Sequence, residues 1–481
     1  MSIATSSSAD AQLATARSLW EQGDLVRGEA VLRDLAARYP AREDALTLLA
    51  KLLQSQGRLD AASEVIFDLC RVAGFPTELS VRGAQFIQQC DRQPLAAELC
   101  DAAIARDRAT PALLVAAGNI ARELGDFAKA RAHYLAALDA NVDLDSSFVL
   151  GALAHTMRYP DASHPDFAIF QAHFRNPLGS LRARAATGFG LAKAHDDIGD
   201  YASAAGILRE ANGMVREVLP WSAPAWDNFV DARMHERIAS VRGAGSADFI
   251  PIFVVGLPRT GTTLTATRLA AHTGARDRGE LRTLRYIAGQ LVAGAHLGDT
   301  AAIAEAAELY RTLSRQDDAP APAYIDQDPL NFRYLHLVQA LFPRARVVHC
   351  RRSPRDTALS LWSQDFAHPD CAFAYDFASI AHYAAGHDRL MRHWQRTVSL
   401  PQYTLDYETF VADPQGTLAA LRAFIGTPEP DIAAPSGAMP INSASVWQAR
   451  QPVYAHSVGR WRQYAEFVPE LTALFGDEAT A

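Results

Sequence analysis

A pattern of small and apolar residues with a period of 34 positions runs through the first 140 residues of the chain. Gly23, Gly57, Asp91 and Gly125 hold the turn position of successive copies. Seven residues before each turn stands a small residue: Ala16, Ala50, Ala84 and Gly118. Five residues after each turn stands another small residue: Gly28, Ala62, Ala96 and Ala130. Nine residues after each turn stands a larger residue: Leu32, Ile66, Cys100 and Tyr134. Small side chains let two antiparallel helices approach closely, and the larger one fills the space against the next pair. The pattern therefore predicts four helical hairpins, with an out-of-phase fifth copy around Gly199.

This 34-residue helical period resembles the tetratricopeptide repeat, with four copies from about Ala11 to Ala140. The resemblance implies an α-solenoid that binds a protein or peptide partner. An alanine-rich helical bundle with an accidental period is the alternative. We expect the repeat array to occupy residues 10–236 and a small, polar linker to occupy residues 237–248.

A different pattern begins at Phe249, where a continuous apolar run with β-branched residues extends to Val255 and predicts a buried parallel strand. A glycine-bounded loop, residues 256–261, follows, and an alanine-rich helix is expected up to about His272. This order directs backbone N–H groups and the helix dipole at an anion. The glycine spacing is that of a P-loop, but Thr262 stands where a nucleotide triphosphatase has its lysine. Arg259 instead supplies a forked cation suited to phosphate or sulfonate oxygens.

The segment Pro258–Leu264 resembles the 5′-phosphosulfate loop of sulfotransferases that use 3′-phosphoadenosine 5′-phosphosulfate (PAPS), with Thr260 in place of the usual serine. The resemblance implies PAPS as the donor, no metal, and a contact surface made by the loop and the first helical turn: Arg259, Thr260, Gly261, Thr262, Thr263 and Leu264. A tight turn without a ligand is the alternative.

Five arginines and no acidic residue lie between Arg344 and Arg355, around a second predicted strand, residues 346–350. Ligands bind at the carboxyl ends of strands in open α/β sheets, so this run is expected near the first loop. Arg352 followed eight residues later by Ser360 is similar to the 3′-phosphate site of the same family, which distinguishes PAPS from ATP. The alternative is a basic end to a surface strand.

Two more segments extend the likeness to sulfotransferases, which then covers about Phe249 to Phe475. Tyr407 lies in a Tyr-Glu segment at a strand end, and Asp413-Pro414 is expected to start a helix that stops at Gly426. In tyrosylprotein sulfotransferases the loop that closes over the nucleotide has a Ser, a Pro and a basic residue before Trp, and Ser445, Pro452 and Arg460 match that spacing. The resemblance implies nucleotide contacts from the following residues: Tyr407, Ser445, Arg450 and Arg460.

The reaction needs a general base, because an acceptor hydroxyl is a poor nucleophile at neutral pH. Glu280 follows Gly279 and resembles the Gly-Glu base of tyrosylprotein sulfotransferases, although a surface glutamate is the alternative. His272 and His349 are weaker candidates. Gln327 stands where the family has a lysine on the leaving group, so this position donates a hydrogen bond but no charge.

Composition and charge bear on the protein's partners, its cysteines and its location in the cell. A formal net charge of −8 argues against a general nucleic-acid surface. No apolar run approaches the roughly 20 residues of a membrane span, and the start lacks the pattern of a secretory signal. The five cysteines have no metal-like spacing and are expected to be reduced thiols. These features favour the cytoplasm and no membrane or nucleic-acid partner.

The predicted fold class is α + α/β, with a repeat-like α-solenoid followed by a P-loop-like three-layer α/β/α parallel-sheet domain at residues 249–476. The predicted activity is transfer of a sulfuryl group from PAPS to an acceptor hydroxyl, first of all a peptide or protein tyrosine. A saccharide or small-molecule hydroxyl is the second acceptor. A repeat scaffold that binds nucleotide without turnover is the alternative of another class.

Overall fold

The computed structural model describes residues 2–106, 109–239, 249–317, 320–366, 368–426 and 457–476. Among these residues the chain forms two compact units. Unit 1 comprises residues up to Asp143 together with residues 312–317, and unit 2 comprises the rest. None of the helices in these ranges combines the length and apolarity that crossing a membrane would require.

Unit 1 is a row of helical hairpins in which each helix packs on the next one along the chain. Its helices are α1 (Ser2–Glu21), α2 (Leu25–Arg38), α3 (Glu43–Ser55), α4 (Leu59–Val72), α5 (Thr77–Gln89), α6 (Gln93–Ile104), α7 (Pro111–Leu124) and α8 (Phe127–Asp139). Helices two apart also touch, as α4 does α6 and α5 does α7, so the hairpins stack into one layered array.

The repeat positions have the same structural role in every copy. Gly23, Gly57 and Gly125 turn between paired helices with φ of 79°, 72° and 83°, and Asp91 adopts the same left-handed conformation with φ of 55°. The small residues on both sides of these turns are buried between helices. The larger residues nine positions after each turn are buried as well. The four hairpins predicted from the period are therefore confirmed, and their core is built from the repeating small and large positions.

Unit 2 begins with further helices: α9 (Leu144–Ser147), α10 (Val149–Ala154), α11 (Pro165–Arg175), α12 (Leu181–Asp197), α13 (Tyr201–Val218) and α14 (Ala223–His235). Helices α12 and α13 form a hairpin that turns at Gly199, where φ is 80°, so the fifth copy is also a helical pair. Asp200 caps α13 by accepting a hydrogen bond from the Ser203 N–H. These helices belong to the same compact unit as the sheet. The sequence pattern changes only after them, at the expected linker of residues 237–248.

The sheet of unit 2 is parallel throughout, with strand order β2-β3-β1-β4-β5. Its strands are β1 (Pro251–Gly256), β2 (Arg276–Asp277), β3 (Tyr324–Asp326), β4 (Arg346–Arg351) and β5 (Gln402–Asp406). Strand β1 is buried along its whole length, as its continuous apolar run predicts. It lies beside β4 with Gly256 opposite Cys350, which brings the carboxyl ends of the two predicted strands together.

Helices cover both faces of this sheet, so the predicted α + α/β fold class is confirmed. They are α15 (Thr262–Thr273), α16 (Thr283–Ala293), α17 (Thr300–Arg315), α18 (Leu335–Leu341), α19 (Pro354–Trp362), α20 (Phe377–Thr397), α21 (Tyr407–Ala412), α22 (Pro414–Ile425), α23 (Trp461–Tyr464) and α24 (Glu470–Ala473). Two 3₁₀ helices, Pro329–Tyr334 and Pro369–Tyr375, complete the unit. As predicted, Asp413 caps α22 at its start and Gly426 ends it with φ of 77°.

Candidate functional site

A tight loop joins β1 to α15 at the centre of the sheet's carboxyl edge. A side chain at Gly256 would collide with the carbonyl oxygen of Cys350 on the neighbouring strand. Arg259 and Gly261 both have positive φ, 74° and 95°. A Cβ at Gly261 would lie 2.7 Å from the ring of Tyr407, so the backbone needs glycine there. The loop conformation therefore depends on close backbone approaches at two points.

The loop ends at the N-terminus of α15, a helix of 12 residues. The first N–H groups of any helix have no carbonyl partner in the preceding turn, and the helix dipole adds positive potential there. Thr262, Thr263 and Leu264 are the first residues of α15. The Thr260 hydroxyl donates to the Leu257 carbonyl at 2.7 Å, so this side chain stabilises the loop itself. The arrangement suits an anion such as a phosphate or a sulfonate.

Direct contacts join the two predicted binding motifs. The Arg259 Nε donates to the Ser360 Oγ at 3.0 Å, and the Arg352 Nη1 donates to the Arg259 carbonyl at 3.1 Å. Arg259 comes from the β1–α15 loop, Ser360 lies on α19, and Arg352 follows β4. These contacts bring Arg259, Arg352 and Ser360 together near the carboxyl ends of the adjacent strands β1 and β4.

Arg352 is fixed from several sides. Its Cζ lies 4.8 Å from the centroid of the Tyr407 ring, and its Nη2 donates to the Ser457 carbonyl at 2.6 Å. Its Nε is buried and has no hydrogen-bond partner within the described part of the chain. The Arg352 side chain therefore keeps one donor that its described neighbours do not use.

Several residues of this site were not predicted. Glu408 accepts a hydrogen bond from the Ser353 N–H at 2.9 Å and so joins the start of α21 to the start of α19. Asp356 is 2% exposed and accepts hydrogen bonds from the Gly459 N–H at 2.6 Å and the Trp461 N–H at 2.9 Å. A charged residue in the first turn of a helix is common at surfaces, so sequence alone offered little signal for this role.

Of the predicted nucleotide-covering loop, only the end is described. Ser445 and Arg450 lie outside the described residues. Arg460 is described, and its guanidinium forms an ion pair with Asp196 near the end of α12. The sequence resemblance implies a nucleotide contact for Arg460, whereas its observed partner is this carboxylate.

Glu280 lies between β2 and α16, directly after Gly279, whose carbonyl accepts a hydrogen bond from the Gln327 N–H at 2.9 Å. Dense surrounding protein raises the pKa of the Glu280 carboxyl to about 8, and repulsion from Asp328 adds to this rise. The positive charge of Arg259 lowers that pKa in part, so the carboxyl lies within electrostatic reach of the loop. The Glu280 side chain is nevertheless exposed to solvent, so an acceptor hydroxyl can reach it.

Buried polar residues lie at the end of β3 and directly after it, near Glu280. Asp326 is 1% exposed and accepts hydrogen bonds from the Tyr310 hydroxyl at 2.8 Å and the Asp328 N–H at 3.0 Å. Burial and then repulsion from Asp328 raise the pKa of Asp326 well above its usual range. Gln327 is 3% exposed, and its Oε1 has no hydrogen-bond partner in the part of the chain that the structure describes. Gln327, which stands where the family has a lysine, is therefore buried next to the segment that carries Glu280.

The two candidate histidines have other surroundings. His349 is buried on β4 with its ring 5.2 Å from that of His387, and burial lowers its pKa to about 3, so it is neutral. His272 lies in the last turn of α15, opposite the helix end at the anion loop. Within the described ranges, no group of three or more His, Cys, Asp and Glu side chains is arranged to hold a metal ion.

Comparison with known proteins identifies one family in this region. Residues 251–431 match the model of the sulfotransferase family. An uncharacterized protein of Aquifex aeolicus is 28% identical over 335 residues, which are 65% of this chain and 44% of that protein. The chain thus spans less than half of that relative's length. Most of the matched residues lie in unit 2, and they include the β1–α15 loop, Arg352 and Ser360.

Solved structures with similarity to this chain include two sulfotransferase domains. The one from the Synechococcus PCC 7002 olefin synthase has a TM-score of 0.35 and 21% identity, over 47% of this chain and 91% of that one. The one from the curacin biosynthetic pathway has a TM-score of 0.32 and 14% identity, over 49% of this chain and 99% of that one.

Proposed function

We propose that the protein, whose residues 251–431 match the sulfotransferase family, transfers a sulfuryl group from PAPS to an acceptor hydroxyl. The observation that carries the proposal is the contact of Arg259 with Ser360 and with Arg352 at the carboxyl ends of β1 and β4. A donor with a 5′-phosphosulfate and a 3′-phosphate has two anionic ends, and this site offers a cation for each.

In this proposal the loop amides and Arg259 hold the phosphosulfate, while Arg352 and Ser360 hold the 3′-phosphate. Support comes from the buried Arg352 Nε, which lacks a partner in the described chain and suits a phosphate oxygen. Tyr407, whose ring contacts Arg352, keeps the guanidinium in place. A phosphosulfate carries less charge than a triphosphate, which is compatible with Thr262 in the P-loop lysine position.

Glu280 is the proposed general base. It takes the proton of the acceptor hydroxyl as the acceptor oxygen forms a bond to sulfur. The bond from sulfur to the bridging phosphate oxygen breaks at the same time, and its electron pair leaves with 3′-phosphoadenosine 5′-phosphate (PAP). The raised pKa of Glu280 makes the carboxyl a stronger base than an ordinary glutamate.

Gln327 takes the position from which the family's lysine meets the leaving oxygen. A neutral amide stabilises developing negative charge less than an ammonium does, so Arg259 carries more of that role here. The same substitution favours a second candidate function, a protein that binds nucleotide without turnover.

The proposed acceptor is a peptide or protein tyrosine, by similarity to tyrosylprotein sulfotransferases, and a saccharide or small-molecule hydroxyl comes second. The stacked hairpins of unit 1 are proposed to bind a protein or peptide partner, because such arrays present extended surfaces.

Calorimetry with PAP, PAPS and ATP tests the donor assignment. We expect PAP and PAPS to bind far more tightly than ATP, because only they have the 3′-phosphate that Arg352 and Ser360 would contact. Equal affinity for ATP and PAP would overturn the assignment.

A further inference from the structure

The last described part of the chain, residues 457–476, here termed the C-terminal segment, lies against two different parts of unit 2. One is the start of α19 at the proposed nucleotide site. The other is the hairpin of α12 and α13, which precedes the region matched by the sulfotransferase family.

At the nucleotide site, backbone groups of the C-terminal segment hold side chains that belong to the site. The Ser457 carbonyl accepts from Arg352 Nη2 at 2.6 Å, so it helps to orient the guanidinium proposed to bind the 3′-phosphate. Asp356, buried in the first turn of α19, accepts from the N–H groups of Gly459 and Trp461. The orientation of Arg352 therefore depends on where residues 457–461 lie.

On the other side, both oxygens of the Asp196 carboxylate bind this segment. The Tyr464 hydroxyl donates to Asp196 Oδ1 at 2.5 Å, and Arg460 forms an ion pair with Oδ2. The Asp196 side chain is 18% exposed, so solvent screens these contacts only in part. The ring of Tyr201, at the start of α13, lies 5.2 Å from that of Tyr464.

We infer that Asp196 is a positioning residue for the nucleotide site, which acts through Arg460 and the C-terminal segment on Arg352. Arg460 stands between Gly459 and Trp461, the two residues whose N–H groups bind Asp356. The Arg460 side chain binds Asp196 on α12, while the backbone N–H groups of its two neighbours bind Asp356 on α19. The α12–α13 hairpin thus supports the nucleotide site. Arg460 contributes to nucleotide binding by positioning the C-terminal segment, and it does not contact the nucleotide. This inference rests on the proposed function.

The test is Asp196→Asn in the full chain, with PAP binding measured by calorimetry. Loss of the ion pair loosens residues 457–461 and weakens one charge-assisted hydrogen bond of Arg352, so PAP should bind about tenfold more weakly. The matched control is Glu470→Gln, which breaks the 2.6 Å pair with Arg209 on α13, further along the same segment. The control should stay within about twofold of wild type.

A double-mutant cycle separates positioning from direct contact. If Arg460 acts through Asp196, then Arg460→Met alone and the double variant should each weaken PAP binding about as much as Asp196→Asn does. The inference would be overturned if the two increases in the Kd of PAP multiplied in the double variant, or if Arg460→Met alone weakened binding much more than Asp196→Asn. Either result would mean that Arg460 contacts the nucleotide itself.

Wild-type PAP affinity in Asp196→Asn would also overturn it. If Asp196→Asn fails to fold, Tyr464→Phe removes the hydroxyl that binds Asp196 and Arg460 and should weaken PAP binding severalfold, whereas unchanged binding contradicts the inference. A wild-type chain that binds no PAP is a separate result, which removes the proposed function and this inference together.

Discussion

Replacing Arg352 by methionine tests the proposed 3′-phosphate site, because methionine keeps an aliphatic stem beside Tyr407 and removes the guanidinium. That group donates to the carbonyls of Arg259 and Ser457 at 3.1 and 2.6 Å and has one further buried N–H. Losing a charge-assisted pair with a phosphate should cost about 2–4 kcal/mol of binding, or roughly thirtyfold to nearly a thousandfold in the Kd of PAP.

Calorimetry with PAP and ATP measures the effect. The loss should be much larger for PAP than for ATP, since ATP has no 3′-phosphate to lose. Arg351→Met is the matched control, because Arg351 is the preceding residue, its side chain is 42% exposed, and its Nε lies 3.8 Å from Asp406. The reasoning is refuted if Arg351→Met weakens PAP binding as much, or if Arg352→Met weakens ATP and PAP equally.

Four further predictions concern the base, the pKa of that base, the leaving group and the repeat turns. Glu280→Gln should lower turnover about a hundredfold at unchanged PAP affinity, as expected for loss of a general base. Wild-type turnover should rise with pH as Glu280 loses its proton, and Asp328→Asn should move that rise to lower pH, because the Asp328 charge raises the pKa of Glu280. Gln327→Lys should raise the rate with PAPS severalfold to a hundredfold, since a charged donor exceeds a neutral one by about 1–3 kcal/mol. Gly23→Ala should cost about 1 kcal/mol of unfolding free energy in urea, because its φ is 79° and nothing lies within 4 Å of an added Cβ, whereas Gly57→Ala should cost more, because its Cβ would lie 2.6 Å from the Thr312 carbonyl oxygen.

Each of these has a clear contrary result. Turnover that hardly changes in Glu280→Gln would mean that another residue is the base. A pH profile that is unchanged in Asp328→Asn would mean that the Asp328 charge does not raise the pKa of Glu280. A slower rate in Gln327→Lys at unchanged PAPS affinity would mean that the site is built around glutamine. Equal losses in the two glycine variants would show that the close contact at Gly57 is relieved without cost.

Local sequence patterns predicted what depends on local geometry. The 34-residue period located the helix turns, and even Asp91 adopts the left-handed backbone that glycine has in the other copies. The strand–loop–helix pattern around Arg259 and the Arg352–Ser360 spacing predicted two anion-binding motifs, and these lie close together because adjacent parallel strands end at the same edge of the sheet.

Contacts between distant segments could not be predicted in this way. Nothing near Asp196 in the sequence indicates that its carboxylate binds Arg460 and Tyr464, since the pairing depends on how the α12–α13 hairpin packs within unit 2. The burial of Gln327 likewise depends on the packing of the segment after β3, not on its own neighbours in sequence. Charged partners of this kind follow from tertiary structure, which local periodicity does not encode.

The most direct test of the proposed activity is transfer of labelled sulfur from PAPS by the purified full chain. Acceptors would be a tyrosine peptide, a saccharide and a hydroxyl-rich cell extract, with Glu280→Gln as the low-activity control. We predict labelled product and PAP in equal amounts with at least one acceptor, and about a hundredfold less with the variant. Tight PAPS binding without transfer to any acceptor would contradict the account and would identify the protein as a nucleotide-binding scaffold.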